Sequence, residues 1–300
     1  PRQGRGLAAG AHPPHGGGMN EWVWWEGRWQ DAAIAVVAAS SSAWRHGCGC
    51  FTTTRWQGGQ IVWRDAHLAR LKATAAHFGL KLPTAFEATL DAATAALRTE
   101  MGGIDGCLRV ALADGSKEPG DLLLTFRPEA FPVALPNDGL ALLLTRSDDL
   151  RFQLGPTGAW KTANYLTNRT AIRLAQEAGA DEALRWHPDG TLGGAAYANC
   201  FARIGGEWLT PPLREDGPLP GTTRQAMIDW LSTTGVTVVA KPITTAQVSQ
   251  AEALFLTNAR VGLAPVRCLG EVPFAEDQVA TLFEWRKQFE AHLAACVRQL

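Results

Sequence analysis

Residues 152–168 read FQLGPTGAWKTANYLTN, and Lys161 is the only charged residue between Arg151 and Arg169. An ammonium held among apolar neighbours is partly desolvated, so its pKa falls and the free amine can attack a carbonyl. A Schiff-base lysine requires this property. The alternative is an exposed lysine opening a helix, since lysines are mostly solvated. The flanking sequence decides between the two.

Downstream, the pattern predicts a helix over 163–178 that stops at Gly179, then a strand in ALRWH and a turn at Asp189-Gly190. A hairpin follows, FARI and EWLTP joined by Gly205-Gly206. Helices are expected near 222–232 and 245–253, then an apolar strand, ALFLTN, and a C-terminal helix over about 276–299 with the stripe Leu282, Trp285, Phe289, Leu293, Cys296. Upstream, WVWWEGRWQ predicts two short strands around Glu26-Gly27, and CFTTTRW and QIVW flank Gly58-Gly59 as a second hairpin. Leu68, Leu71, Ala75 and Phe78 recur at helical spacing, as do Phe86, Leu90, Ala93, Leu97 and Met101 behind a capping box at Thr84 and Glu87. LRVALAD and DLLLTFRP are further strands, and ALLLT is another beyond the proline-rich segment that follows. Strands and helices mix without a regular βαβ repeat, so the class is α+β.

The segment 127–138, RPEAFPVALPND, holds three prolines and no period, which places a domain boundary there. The expected organisation is an extension over 1–18 with Met19 opening the folded part, an N-terminal α+β domain over 19–128, a linker over 129–137 and a C-terminal domain over 138–300. A net charge of −1 gives no footprint for nucleic acid or an anionic membrane, and no apolar run is long enough to span a bilayer. The six cysteines form no C-x-x-C pair and meet no histidine at zinc-ligand spacing, so no metal site is expected and Cys48 and Cys50 read as small packed thiols. A reducing cytoplasm fits this cysteine usage.

Three further features point to an anion site. LPGTTRQAMIDWL puts the Pro220-Gly221 turn directly before a helix, with Thr222 and Gln225 at capping-box spacing, and the free N–H groups of such a first turn attract a phosphate. Thr257-Asn258-Ala259 ends an apolar strand in small and polar residues that let a backbone approach a ligand. Arg70, in HLARL, lies beside the apolar stripe of its helix.

Taken together, GCGCFTTTRWQGGQI, HLARL, KTANYLTN, AGADEAL, DGTL, TPP and LPGTTR resemble the fold type IV pyridoxal-phosphate enzymes. That family includes branched-chain and D-amino-acid aminotransferases and 4-amino-4-deoxychorismate lyases. The resemblance spans about residues 22–290. It implies a smaller N-terminal α/β sandwich and a larger C-terminal domain with a barrel-like sheet, binding pyridoxal 5′-phosphate (PLP). Lys161 would form the Schiff base and shuttle the proton at the reacting carbon. Arg70, Thr222, Thr223, Asn258 and Ala259 would hold the phosphate, with Tyr165 near the pyridine ring. Cys50–Arg55 and Thr257–Val266 look most like the lyases, which convert 4-amino-4-deoxychorismate to 4-aminobenzoate and pyruvate in folate biosynthesis. In that reaction Thr52 or Thr53 would position or protonate the leaving group. The resemblance also implies a homodimer with its site near the subunit interface, acting on a small molecule.

Two positions depart from the pattern. The family expects a glutamate five residues before the Asn of N-x-F, donating a carboxylate to the pyridine nitrogen. Here Asn199-Cys200-Phe201 is present but position 194 is glycine, with no acidic residue between Asp189 and Glu207. The arginine-rich R-G-x-x-x-R-G stretch is replaced by Asp114-Gly115-Ser116-Lys117-Glu118. A lyase whose product becomes aromatic needs the ring as an electron sink less than a transaminase does, so the expectation is a lyase. An aminotransferase, or a family member that has lost catalysis and serves in binding, are the alternatives.

Overall fold

A computed structural model describes residues 21–33, 41–113, 121–136 and 139–298. The extension over 1–18 and the altered stretch at 114–118 lie outside them.

The N-terminal half is one antiparallel sheet with helices packed on it. Its strands are β1 (Trp22–Trp25), β2 (Arg28–Asp31), β3 (Gly49–Gln57), β4 (Gln60–Ile61), β5 (Gly106–Ala113) and β6 (Asp121–Pro128), in the order β2-β1-β6-β5-β3-β4. Both expected hairpins form. Glu26 and Gly27 join β1 to β2, and Gly58 and Gly59 join β3 to β4, each pair at positive φ as a primed two-residue turn requires. Helix α1 (Ser42–His46) precedes β3, while α2 (Arg64–His77) and α3 (Phe86–Glu100) cross the sheet. Leu68, Leu71, Leu90, Ala93 and Leu97 are buried against Trp56, Leu108, Val110 and Phe126. Trp29 joins this core and donates its indole N–H to the carbonyl of Ala93 at 2.9 Å, which satisfies the polar end of a buried tryptophan.

The C-terminal half is a nine-stranded mixed sheet made of β7 (Leu140–Leu143), β8 (Glu182–Trp186), β9 (Leu192–Ala195), β10 (Asn199–Ile204), β11 (Glu207–Thr210), β12 (Val238–Ala240), β13 (Ala253–Asn258), β14 (Gly262–Leu269) and β15 (Val272–Pro273). The order is β12-β11-β10-β13-β14-β7-β8-β9, with β15 on β14. Strand β9 ends one edge, yet a short turn delivers the chain into β10 near the other edge. The sheet therefore curls back on itself into a half-barrel. Helices α4 (Leu166–Glu177), α5 (Thr222–Thr233), α6 (Thr245–Val248) and α7 (Glu276–Arg298) cover it. Phe289 and Leu293 of α7 bury against Phe201, Phe255 and Leu263.

Three local expectations differ. Helix α3 starts at Phe86 without a side-chain cap, so Thr84 and Glu87 form no capping box, and Glu87 instead meets Arg64 and Lys72. Helix α5 starts after Gly221, placing Thr222 inside the first turn, and Gln225 bonds Asp229. The helix expected over 245–253 ends at Val248, and a capping box forms at its start, between Thr244 and Gln247. Among the described residues no helix is long and apolar enough to cross a membrane.

Candidate active site

The two sheets meet around a cavity of about 910 Å³. Lys161 is placed in it by backbone pairing with β3: Phe51 N–H donates to the Lys161 carbonyl at 2.9 Å and Ala163 N–H to the Gly49 carbonyl at 2.8 Å. The stretch 152–168 is thus stitched to the first sheet just before α4 begins, which presents the Lys161 amine between the two halves.

The amine is enclosed on most sides. It donates to the Tyr165 hydroxyl at 2.9 Å and lies 4.7 Å from the centroid of the Phe51 ring. Burial, then the guanidinium groups of Arg70 and Arg109, push its pKa down to about 7. Tyr165 moves the other way, to about 12, chiefly because burial disfavours a phenolate. Its ring meets Phe51 edge-on at 5.0 Å and stacks on Tyr197 at 5.8 Å.

One end of the cavity is built for an anion. Arg70 reaches from α2, donating Nη1 to the Pro220 carbonyl at 3.0 Å and Nη2 to the Thr52 hydroxyl at 3.1 Å. His67, buried and held neutral by burial and by the nearby cations, links the Thr52 hydroxyl at 2.7 Å to the Thr222 hydroxyl at 3.1 Å. Arg70 is thereby fixed beside the N-terminus of α5. Asn199 donates to the Leu219 carbonyl at 2.9 Å, and a Cβ at position 221 would collide with its amide, so Gly221 is required by close approach. Arg70 Nε, Thr223 Oγ1 and Thr257 Oγ1 are buried without a hydrogen-bond partner, and all three residues line this cavity. Native proteins leave few such atoms unsatisfied. Converging at a helix N-terminus, they make an anion cradle.

Of the residues singled out in the sequence, Lys161, Arg70, Tyr165, Thr222, Thr223, Asn258 and Ala259 all line this one cavity. Asn258 spends its side-chain oxygen on its own turn, accepting from Arg260 and Val261 N–H at 3.0 and 2.9 Å. Thr53 lines the cavity as well. Thr52, the neighbour on β3, points away from it and braces His67 and Arg70, so its hydroxyl supports the anion cradle.

Other site residues were not singled out. Arg109, the β5 partner of Thr53, lays its guanidinium 3.4 Å from the Phe51 ring centroid and faces the cavity. Glu182 and Arg185 of β8 also line it, both buried. Glu182 accepts from Ala183 and Ala196 N–H at 3.0 Å and from Tyr197 N–H at 3.2 Å, and burial raises its pKa to about 7. The signal for Arg185 was legible: a charge inside the otherwise apolar ALRW strand. Among the described residues no carboxylate lies within ion-pair distance of Lys161, Arg70, Arg109 or Arg185. Six cations (Arg70, Arg109, Lys161, Arg169, Arg185 and Arg260) against two carboxylates (Asp181 and Glu182) line the cavity, which favours anionic ligands.

Comparison with known proteins agrees with this geometry. Residues 49–269 match the model of the amino-transferase class IV family. A protein of Methanocaldococcus jannaschii, named as a branched-chain-amino-acid aminotransferase, is 27% identical over 252 residues, covering 81% of this chain and 86% of its own length. The crystal structure of an aminotransferase from Brucella abortus bound to PLP superposes with a TM-score of 0.72 at 24% identity, covering 89% of this chain and 99% of that one. A structure from Legionella pneumophila assigned as a 4-amino-4-deoxychorismate lyase superposes at 0.71 with 21% identity, covering 85% and 97%. Seven further curated relatives, from bacteria, also carry the branched-chain aminotransferase name, where the sequence motifs alone favoured the lyase. A half-buried lysine with a lowered pKa beside an anion cradle, on a curled mixed sheet and within a matched family region, places the chain in the class IV aminotransferase family.

Proposed function

We propose that this chain is a PLP-dependent enzyme acting on the amine of a small carboxylate-bearing substrate, with amino transfer as the leading reading. One observation carries the cofactor assignment: a lysine titrating near 7 shares its cavity with three buried polar atoms that have no partner and converge at a helix N-terminus. The donor set fits the group. Lys161 would hold it covalently, Tyr165 would flank its ring, and Arg70, Thr222, Thr223 and the 257–259 turn would hold its phosphate. When bound, PLP supplies an aldehyde that condenses with amines and a ring that withdraws electrons from the adjoining carbon.

The chain's own residues do the rest. Near neutral pH both protonation states of Lys161 are populated, so its amine can take a proton from the amine-bearing carbon of the substrate and return one. Tyr165, kept neutral, holds that amine in place through its hydroxyl. Arg109, unpaired and facing the cavity, binds the substrate carboxylate, the role that the altered stretch at 114–118 leaves open. Phe51, wedged between Arg109 and Lys161, keeps water from the amine.

Amino transfer is supported by the names of the relatives. The aminodeoxychorismate lyase reading is supported by Gly194, since no carboxylate projects from that position, and by the Cys50–Arg55 and Thr257–Val266 motifs. In that reaction Thr53, which lines the cavity, would serve the leaving group. The retained lysine and cradle speak for an active enzyme under both readings. A homodimer with the site near its interface belongs to the same proposal and is checked by light scattering.

The test is spectroscopic and then chemical. PLP added to the protein should give an absorption band that Lys161→Ala abolishes; no uptake of PLP would remove both readings. Keto-acid formation from amino acids, set against pyruvate release from aminodeoxychorismate, then separates transferase from lyase.

A further inference from the structure

Position 194 is closed to an acidic side chain. Gly194 has φ of +131°, outside the range L-residues readily adopt, and a Cβ there would lie 3.1 Å from the Ala198 carbonyl oxygen. The group that occupies this face comes from the neighbouring strand. In the antiparallel β8–β9 pair, Gly194 stands opposite Arg185. Directly opposed residues project from the same face of a sheet, so the Arg185 side chain extends over the surface that a residue at 194 would cover.

Arg185 is 2% exposed and lines the cavity. One of its guanidinium nitrogens, Nη2, donates to the Gln153 carbonyl, while Nε is buried without a partner. The nearest acid in sequence, Glu182, is occupied: its two oxygens accept three backbone N–H groups, two of them from the turn at 196–197. Charge effects place Arg185 near Tyr165 and Glu182, whereas the cations acting on Lys161 are Arg70 and Arg109. Arg185 thus keeps a buried donor without a hydrogen-bond partner and, among the described residues, has no carboxylate within ion-pair distance.

We propose that Arg185 donates a hydrogen bond to the pyridine nitrogen of bound PLP and keeps that nitrogen unprotonated. A guanidinium is a donor only and holds its protons through the physiological range, so its fitting partner is a lone pair, not an N–H. The ring is then a weaker electron sink than one protonated by a carboxylate. This rests on the PLP reading above but not on the choice between transferase and lyase, and an unprotonated ring would weigh towards the lyase.

The experiment is ¹⁵N NMR of the protein loaded with PLP labelled at the ring nitrogen, recorded between pH 6 and 9. The expected resonance is that of an unprotonated pyridine, unmoved by pH, and in Arg185→Leu it should shift towards the pyridinium position or begin to titrate. A pyridinium resonance in the unsubstituted protein overturns the proposal, and needs no variant to do so. An unprotonated resonance unchanged in Arg185→Leu and in Arg185→Lys removes Arg185 from the role. Borohydride reduction followed by peptide mapping is run in parallel. If Lys161 retains no PLP, the cofactor reading has failed and this inference falls with it; if Lys161 is labelled and the ring is protonated, only this inference fails.

Discussion

The amine of Lys161 and the hydroxyl of Tyr165 lie 2.9 Å apart, one turn of chain from each other, and their pKa values are driven in opposite directions by the same enclosure. Burial moves the ammonium down to about 7 and the phenol up to about 12, so near neutral pH the phenol is neutral while the amine is divided between its charged and neutral forms.

That pair has a consequence for stability. Lys161 titrates near 7 in the folded protein and near 10.4 unfolded. Between those values the unfolded chain binds more protons, so stability of the PLP-free protein rises with pH through that window. Below about pH 7 the lysine is protonated in both states and the full cost of enclosing its charge is present. Lys161→Met should therefore stabilise the PLP-free protein at pH 6–7, by about 1–3 kcal/mol, with the gain shrinking as pH rises towards 10. Urea unfolding at several pH values measures this, and a variant less stable at pH 6 would show that the amine is not strained.

The anion cradle separates binding from folding. Thr223 Oγ1 is buried with no partner, so Thr223→Val should leave the PLP-free protein as stable or slightly more so while weakening PLP. Arg70→Gln should cost about 1.5–3 kcal/mol of cofactor affinity, the scale of a hydrogen bond to a charged group. Fluorescence titration with PLP reads both.

Arg109 is assigned to substrate rather than cofactor. Arg109→Leu should leave PLP affinity and spectrum essentially unchanged while raising KM for carboxylate-bearing substrates at least tenfold. Loss of PLP together with substrate would place Arg109 in the cofactor site instead.

The first sheet is tied to the C-terminal helix by a buried ion pair. Arg55 of β3 makes two parallel hydrogen bonds to Glu290 of α7, at 2.6 and 2.7 Å, with Arg55 2% exposed. Removing one partner leaves the other charge buried alone, so Glu290→Gln or Arg55→Met should destabilise by about 3–5 kcal/mol. Thermal melts of both single variants and the double variant check it; the double variant should recover part of the loss.

Gly194→Glu offers no simple restoration of a ring carboxylate. Its backbone sits where a side chain costs about 1–3 kcal/mol of strain, and Arg185 shares the face it would enter. The variant should melt lower and gain no transaminase activity; a clear gain would show that the turn at 196–198 rearranges readily.

Much of the chain is legible without coordinates, because local rules govern it. The glycine pairs 58–59 and 205–206 dictate hairpins, the apolar stripes of α2, α3 and α7 dictate which faces bury, and the lone charge at Lys161 marks the amine that the cavity encloses. The capping boxes at Thr84 and Thr222 were misread because the spacing is compatible with helix starts one or two residues apart, and only the backbone selects between them. Thr52 and Thr53 look alike in a β-rich run, yet strand alternation sends one to Arg70 and the other to the cavity.

Sequence alone thus determined the α+β class, the order of most of the elements, the family and the lysine in the cavity, since each depends on nearby residues or on an ordered set of motifs. Tertiary structure decided what surrounds that lysine. His67 between two threonines, Arg109 over Phe51, Glu182 beneath the 196–197 turn and Arg185 opposite Gly194 are contacts made across strands and between halves of the chain. Cross-strand register sets them, and no local pattern in the sequence encodes which residues will stand face to face.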